Sequence, residues 1–117
     1  MHELKIAQNI LNIVADELAV RKISSPVKVI HFKAGQMHAI IPESLIFNFN
    51  AVKAGNSIFQ NATLSLEIVP LRVNCRQCRQ IAELSQPVFE CGHCRSTDLE
   101  ILNGQEMYVD NIELEDE

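Results

Sequence analysis

Two Cys-x-x-Cys pairs constrain this chain more than any other feature of its sequence. Cys75 and Cys78 form the first pair, and Cys91 and Cys94 form the second after twelve intervening residues. Each pair places two thiolates on one tight turn, and two facing turns supply the four soft ligands that tetrahedral Zn²⁺ prefers. The sequence therefore predicts a zinc ribbon over residues 73–97.

A metal site made of four thiolates would be structural rather than catalytic, because no coordination position remains open. The alternative is a reactive dithiol in which one pair acts alone, and the presence of two matched pairs argues against it. His93 lies inside the second pair. We expect it to support the site by hydrogen bonding rather than to bind the metal.

The length and the net charge of the chain limit its domain organisation, its location and its partners. Its 117 residues fit one domain, or one small domain with a metal-stabilised insert. No apolar run approaches the ~20 residues that cross a bilayer, and the first residues lack the apolar core of a secretory signal. We expect a cytoplasmic protein, in which paired cysteines bind metal. The net charge of −5, with an acidic final stretch, argues against nucleic acid as a partner.

Helical periodicity marks two segments. From Leu4 to Ala19, apolar residues recur at intervals of three and four, as on one face of an amphipathic helix. A second helix is predicted from Pro42 to Lys53, because Pro42 suits the first helical position and Glu43 favours the helix dipole. The positions expected to face the core are Leu4, Ala7, Ile10, Leu11, Val14 and Leu18 in the first helix, and Leu45, Ile46, Phe49 and Val52 in the second.

Alternating apolar residues predict the strands. Two strands are expected before the ribbon and one after it, the last divided by a turn at Asn103-Gly104. Two short strands, residues 81–84 and 87–90, are expected to pair with each other inside the ribbon. The resulting order predicts an α+β fold: a small three-stranded sheet covered by two helices, with the ribbon inserted before the last strand. Residues 1–72 with 98–117 would form the α/β domain. The strands outside the ribbon are expected at residues 27–34, 63–69, 99–102 and 107–114.

The amino terminus offers a second set of metal ligands. If Met1 keeps a free amine, that amine, the backbone nitrogen of His2 and the His2 Nδ1 atom form adjoining chelate rings. Three nitrogens in one plane suit square-planar Ni²⁺ or Cu²⁺ and suit zinc badly. The alternative is that His2 belongs to a frayed terminus, and that Glu3 only begins the first helix with a favourable charge.

The remaining residues point to no enzyme. His31 and His38 have no spaced partner and are expected to be ordinary strand or surface residues. A phosphate-binding glycine loop is absent from the sequence, as is a recognisable nucleophile with its base, since the ribbon uses every cysteine.

Several segments together resemble the HypA/HybF family, the nickel-delivery accessory proteins of [NiFe]-hydrogenase maturation. The resemblance covers essentially the whole chain. It rests on Met1-His2-Glu3 at the start, Pro42-Glu43-Ser44-Leu45 at the second helix, Val69-Pro70 after a strand, the two cysteine pairs, and Gly104-Gln105-Glu106-Met107 near the end.

The resemblance implies a metallochaperone with two metals. Transported Ni²⁺ would bind at Met1, His2 and Glu3 in the α/β domain, and structural Zn²⁺ at Cys75, Cys78, Cys91 and Cys94. The protein would pass nickel to a hydrogenase large subunit, or to another nickel enzyme such as urease, together with a GTPase maturation partner. We expect a monomer or weak homodimer, with neither nucleic acid nor membrane as a partner.

The chain departs from the family pattern at two positions. Relatives commonly carry acids where this sequence has Gln36 and Ile41. Isoleucine at position 41 removes a helix N-cap worth ~1 kcal/mol, and an acid lost near the nickel would lower nickel affinity.

The alternative function is that of a zinc-ribbon module that binds protein or nucleic acid without delivering nickel. The basic residues Arg76, Arg79 and Arg95 favour nucleic acid, but Glu83 and Glu90 nearly offset their charge and no aromatic platform accompanies them.

Overall fold

A computed structural model describes residues 2–84 and 89–115. The predicted α+β class is confirmed, and no helix within those residues is both long and apolar enough to cross a bilayer. A 3₁₀ turn at Gln36–His38 follows the first strand. The elements are α1 (Glu3–Val20), β1 (Val27–Gly35), α2 (Pro42–Val52), β2 (Thr63–Val69), β3 (Leu71–Cys75), β4 (Ile81–Leu84), β5 (Leu99–Asn103) and β6 (Met107–Leu114).

The strands form two sheets of three, with the orders β2-β1-β6 and β4-β3-β5. The chain divides into two compact units. The second unit consists of Lys33–Ala39 and Ile68–Met107, a range that includes the ribbon expected at 73–97. The first unit consists of Met1–Phe32, Ile40–Glu67 and Tyr108–Glu117.

The core of the first unit is built on the apolar face of α1, which packs against α2. Most of the predicted stripe is buried, but the expectation for Leu4 was wrong: its side chain is 50% exposed, whereas Glu3 beside it is only 4% exposed. Ile46, also expected in the core, is 38% exposed. The buried apolar residues of this unit include Ala7, Ile10, Leu11, Val14, Leu18, Val27, Ile30, Phe32, Leu45, Phe49, Phe59 and Leu64.

The ribbon sheet differs from the predicted one, because β4 pairs with β3. β3 and β4 are antiparallel, with Leu71 opposite Leu84. β5 pairs antiparallel with β3 on the other side. Phe89 and Glu90 lie outside any strand, and Pro87 and Val88 fall outside the described residues.

β3 is not among the predicted strands, because Pro70 directly after β2 is a signal for the end of a strand. A proline donates no ladder hydrogen bond, so it can equally stand directly before the first residue of a strand. Here β3 starts at Leu71, and its alternate residues Leu71, Val73 and Cys75 are buried. The second unit therefore has a small apolar core of its own.

Two glycines make a close backbone contact in the second unit. A Cβ atom on Gly35 would lie 1.9 Å from the carbonyl oxygen of Gly104. Gly104 itself has φ +111°, in the left-handed half of conformational space that glycine adopts readily. The Met37 amide donates to the same Gly104 oxygen at 3.0 Å. Gly104 thus lies in the turn between β5 and β6, where the dipeptide Asn103-Gly104 predicts one.

The two phenylalanines of α2 test the core assignment, since Phe49 is fully buried and Phe47 is 72% exposed. Replacing Phe49 by alanine leaves a large cavity and should lower the free energy of unfolding by about 3–5 kcal/mol. The matched change Phe47→Ala should alter it by less than about 0.5 kcal/mol. Urea denaturation followed by circular dichroism measures both, and equal losses would contradict this packing.

Candidate metal centres

The four cysteine sulfurs converge in the second unit. Cys75 Sγ lies 3.6 Å from Cys94 Sγ, and Cys78 Sγ lies 3.6 Å from Cys91 Sγ. All four sulfurs lie within 4.8 Å of one another, and no other group of His, Cys, Asp or Glu among the described residues clusters in this way. A tetrahedral zinc with ordinary Zn–S bonds requires sulfurs about 3.8 Å apart. The arrangement fits structural zinc.

Each cysteine pair is folded as a tight turn that directs amide hydrogens at its first sulfur. The amide of Cys78 donates to Cys75 Sγ at 3.4 Å. The amides of His93 and Cys94 donate to Cys91 Sγ at 3.4 and 3.5 Å. His93 therefore supports a sulfur through its backbone amide, while its side chain is exposed.

Both turns close with an arginine in a left-handed conformation. Arg79 and Arg95 each have φ +62° and follow the second cysteine of their pair. Their amides donate back to the carbonyl oxygens of Cys75 and Cys91, at 2.7 and 2.9 Å. Such a conformation costs a non-glycine residue roughly 1–2 kcal/mol. The hydrogen bonds within each turn therefore offset an unfavourable backbone conformation.

The pKa values of the four thiols are shifted in opposite directions. The amides of Cys94 and His93 lower the pKa of the Cys91 thiol to about 6. The Cys78 amide likewise lowers the pKa of Cys75. Although the Gln80 amide acts in the opposite direction, burial and the neighbouring sulfurs raise the pKa of Cys78 to about 12. Four adjacent thiolates repel one another, and a divalent cation bound between them would compensate that charge.

One basic residue of the ribbon is paired with an acid. Arg76 donates to the Asp98 carboxylate at 3.0 Å and to the Leu99 carbonyl oxygen at 3.3 Å. One of the three arginines that favoured nucleic acid is thereby neutralised by an acid of the ribbon itself.

At the amino terminus, Met1 lies outside the described residues and His2 is exposed. His2 occupies the N-cap position of α1 and makes no side-chain capping bond. Its carbonyl oxygen accepts the Ile6 amide at 2.9 Å. The backbone of His2 is therefore fixed by the helix while its imidazole faces solvent, where an ion can reach it.

Glu3 joins the beginnings of the two helices. Its carboxylate accepts the amide of Ile41 at 3.1 Å, and Ile41 is the N-cap residue of α2. Ile41 supplies no side-chain capping bond, as predicted. The amino-terminal charge and the Ile41 hydrogen bond lower the pKa of Glu3 to about 2. Sequence reasoning missed this contact, because the two residues are far apart in the chain and carry no spacing signal.

The polar side chains of His31, His38 and Gln36 each have a hydrogen-bond partner elsewhere in the chain. His31 Nε2 lies 2.7 Å from a carboxylate oxygen of Glu113, and His38 Nε2 lies 2.8 Å from the carbonyl oxygen of Gln105. Gln36 Oε1 accepts the Leu71 amide at 3.2 Å. Neither histidine joins a metal-binding cluster among the residues described.

Two solved structures share this fold. One is the solution structure of the Ni metallochaperone HypA from Helicobacter pylori, with a TM-score of 0.63 and 18% identity, covering 97% of each chain. The other is the solution structure of a HypA protein, with a TM-score of 0.65 and 16% identity, covering 97% of this chain and 96% of that one. Fold and cysteine cluster together define a small α+β protein with a site for structural zinc.

Sequence comparison identifies the family. A family model described as hydrogenase/urease nickel incorporation, metallochaperone, HypA matches residues 1–114. The hydrogenase maturation factor HypA of Rippkaea orientalis is 38% identical over 116 residues, covering 99% of this chain and 97% of the relative. That of Trichodesmium erythraeum is 36% identical over the same shares. The chain belongs to the HypA family of nickel metallochaperones, which act in hydrogenase maturation and are not enzymes.

Replacing Cys75 by serine should remove the zinc and unfold at least the ribbon, because the free energy of metal binding is also folding free energy at such a site. The change His93→Ala should leave the zinc in place, since only the backbone of His93 contacts a sulfur. Metal analysis combined with amide NMR spectra separates these outcomes. A full zinc equivalent with a native spectrum in the serine variant would contradict the assignment.

Glu3 should titrate with a pKa of about 2, far below its ordinary value of 4.5. Because the folded value is the lower one, the ionised carboxylate stabilises the fold above pH 4.5. That stabilisation is lost as the pH falls from 4.5 towards 2. NMR of the side-chain carboxyl carbon measures the midpoint. A midpoint near 4.5 would rule out the described environment, and Glu3→Gln should flatten the dependence of stability on pH across this window.

Proposed function

We propose that this chain carries Ni²⁺ at its amino terminus, bound by the Met1 amine, by the backbone nitrogen and Nδ1 of His2, and by Glu3. The observation that carries the proposal is the position of His2, which is exposed at the N-cap of α1 beside a buried, ionised Glu3. Three nitrogens in a plane match the preference of Ni²⁺, and family membership supports nickel as the ion.

Glu3 contributes to this site chiefly because its negative charge lies next to His2. Its carboxylate already accepts the Ile41 amide, so direct coordination by the same oxygen would compete with that bond. An ionised group next to a cation stabilises it electrostatically even without a direct bond. An acid at position 41 would add negative charge here, so Ile41 should make nickel binding weaker and the ion easier to release.

A nickel site at the end of a chain is suited to transfer of the ion to another protein. An acceptor protein can approach it from several directions, and protonation of the amine and imidazole releases the ion, so nickel binding should weaken as the pH falls. Zinc, in this proposal, is held by Cys75, Cys78, Cys91 and Cys94 and is not passed on. Nickel carriage then belongs to the first unit and zinc to the second.

The role in hydrogenase maturation implies protein partners in that process. We propose that they are a GTPase maturation protein and the hydrogenase large subunit, with urease as an alternative recipient in keeping with the family description. We also propose that the protein works in the cytoplasm, where a reducing environment keeps zinc thiolates from forming disulfides.

The change His2→Ala should abolish stoichiometric Ni²⁺ binding while leaving zinc content and fold intact, because it deletes the imidazole and nothing else of the chelate. Isothermal titration of Ni²⁺ into both proteins measures the effect. His93→Ala is the matched control, since it also removes an exposed histidine and should keep wild-type nickel affinity.

Unchanged nickel affinity in His2→Ala would overturn the assignment of the site. A wild-type protein that binds zinc but no nickel would instead favour the alternative, an interaction module in which the amino terminus has no metal function.

A further inference from the structure

The dipeptide Asn103-Gly104 lies at the turn between β5 and β6, and no other asparagine in the sequence precedes a glycine. In a flexible chain this pair is chemically unstable, because glycine has no side chain to shield its backbone nitrogen and its backbone rotates readily. The Oδ1 atom of Asn103 is buried, and within the described part of the chain nothing donates a hydrogen bond to it. A buried polar atom without a partner is rare in folded proteins and calls for an explanation.

The reaction to which this pair is prone is deamidation, which requires water but neither an enzyme nor a cofactor. The Gly104 nitrogen attacks Cγ of Asn103, so that an N–C bond forms and negative charge develops on Oδ1. The bond from Cγ to the side-chain nitrogen then breaks, and that nitrogen leaves as ammonia with the proton that Gly104 has lost. One water molecule opens the resulting succinimide ring to aspartate or isoaspartate.

The electrostatic environment of the folded turn opposes this attack. Hydrogen-bond donors that stabilise a developing oxyanion usually make the largest contribution to such a reaction, and none of the residues described here donates to Oδ1. The Gly104 amide, which must lose its proton, donates at 2.7 Å to the carboxylate of Glu106, whose charge disfavours a negative nitrogen. The amides of Glu106, Gly104 and Gln105 lower the pKa of that carboxyl, so it is a weak base.

Backbone packing restricts the rotation that would bring the two reacting atoms together. Asn103 pairs with Arg72 in the ladder between β3 and β5. A Cβ atom on Gly104 would lie 2.6 Å from the Leu71 Cα atom, so the turn lies directly against β3. The same ladder ends at Cys75, a proposed zinc ligand. Because metal binding at such a site supplies folding free energy, zinc also stabilises the ladder that holds Asn103.

We propose that Asn103 is a deamidation site that the zinc-bound fold keeps unreactive and that loss of zinc exposes. Once the ladder between β3 and β5 opens, water reaches Oδ1, Gly104 separates from Glu106, and the reaction proceeds as in a flexible peptide. The products do not fit the native turn. Aspartate places a charge where Oδ1 is buried without a partner, and isoaspartate adds an atom to the backbone. Zinc loss therefore becomes irreversible with time.

Mass spectrometry of the full chain tests the dependence on zinc, because deamidation exchanges NH₂ for OH and peptide mapping locates the change. Zinc-bound protein, protein whose zinc has been removed by a chelator, and a synthetic peptide of residues 100–107 are incubated in neutral buffer with a reducing agent. We expect the zinc-free protein to react within about threefold of the peptide rate, and the zinc-bound protein at least about tenfold more slowly. Equal rates with and without zinc would overturn the proposal.

Glu106→Ala tests the protection in zinc-bound protein. Removing the carboxylate releases the Gly104 amide, so the zinc-bound variant should deamidate at least about threefold faster than the wild type. Glu100→Ala, which removes an exposed carboxylate of β5, is the matched control and should keep the wild-type rate. If Glu106→Ala loses its zinc, Glu106→Gln gives the same comparison, because it removes the charge and keeps an acceptor oxygen. Equal rates in the charge-removing variant and the control would contradict the role of Glu106.

Asn103→Ala tests irreversibility, since alanine cannot deamidate. The variant should keep the zinc-bound fold, because Oδ1 makes no hydrogen bond that the change would break. Zinc is returned after increasing times without it, and amide NMR spectra measure the fraction that regains the native fold. Recovery of the wild type should fall in step with deamidation, whereas the variant should recover fully at every time. Parallel losses in both proteins would overturn the proposal.

Discussion

The hydrogen bond between Glu3 and the Ile41 amide is the interaction on which the proposed nickel end of the molecule depends. It places a carboxylate in the first turn of α1, where the helix dipole favours a negative charge. The same carboxylate satisfies an amide at the start of α2, where Ile41 offers no side-chain cap. One polar group thus fixes the beginnings of both helices. As a result His2 is held at a defined point of the surface with its side chain exposed.

The second unit meets a different constraint, which is the charge of four sulfurs within 4.8 Å of one another. Backbone amides stabilise the negative charge on Cys75 and Cys91, but burial and neighbouring sulfurs oppose ionisation of Cys78. Two arginines held at positive φ add local strain. A bound zinc ion would offset both costs, so the ribbon is expected to depend on its metal more than the first unit depends on any ion.

Local patterns predicted most of the architecture. The stripe of α1, the proline start of α2, the alternation of β2 and the spacing of the cysteines all act over a few residues, and the structure confirms them. The predictions that were wrong concern residues for which the local sequence allows two roles or two partners. Pro70 could end one strand or precede another, and residues 81–84 had more than one possible strand partner. Leu4 and Glu3 sit side by side at the edge of the stripe, and a contact with distant Ile41 decides which is buried.

The central claim is that nickel is bound by the free amine of Met1 together with His2. Calorimetric titration of Ni²⁺ into tag-free protein that begins at Met1, and into the same protein with a short glycine extension before Met1, tests it most directly. The extension keeps His2, Glu3 and the four cysteines in the sequence but removes the terminal amine from the chelate. The account predicts stoichiometric binding by the first protein and its loss in the second. Equal stoichiometry and affinity in both would contradict it.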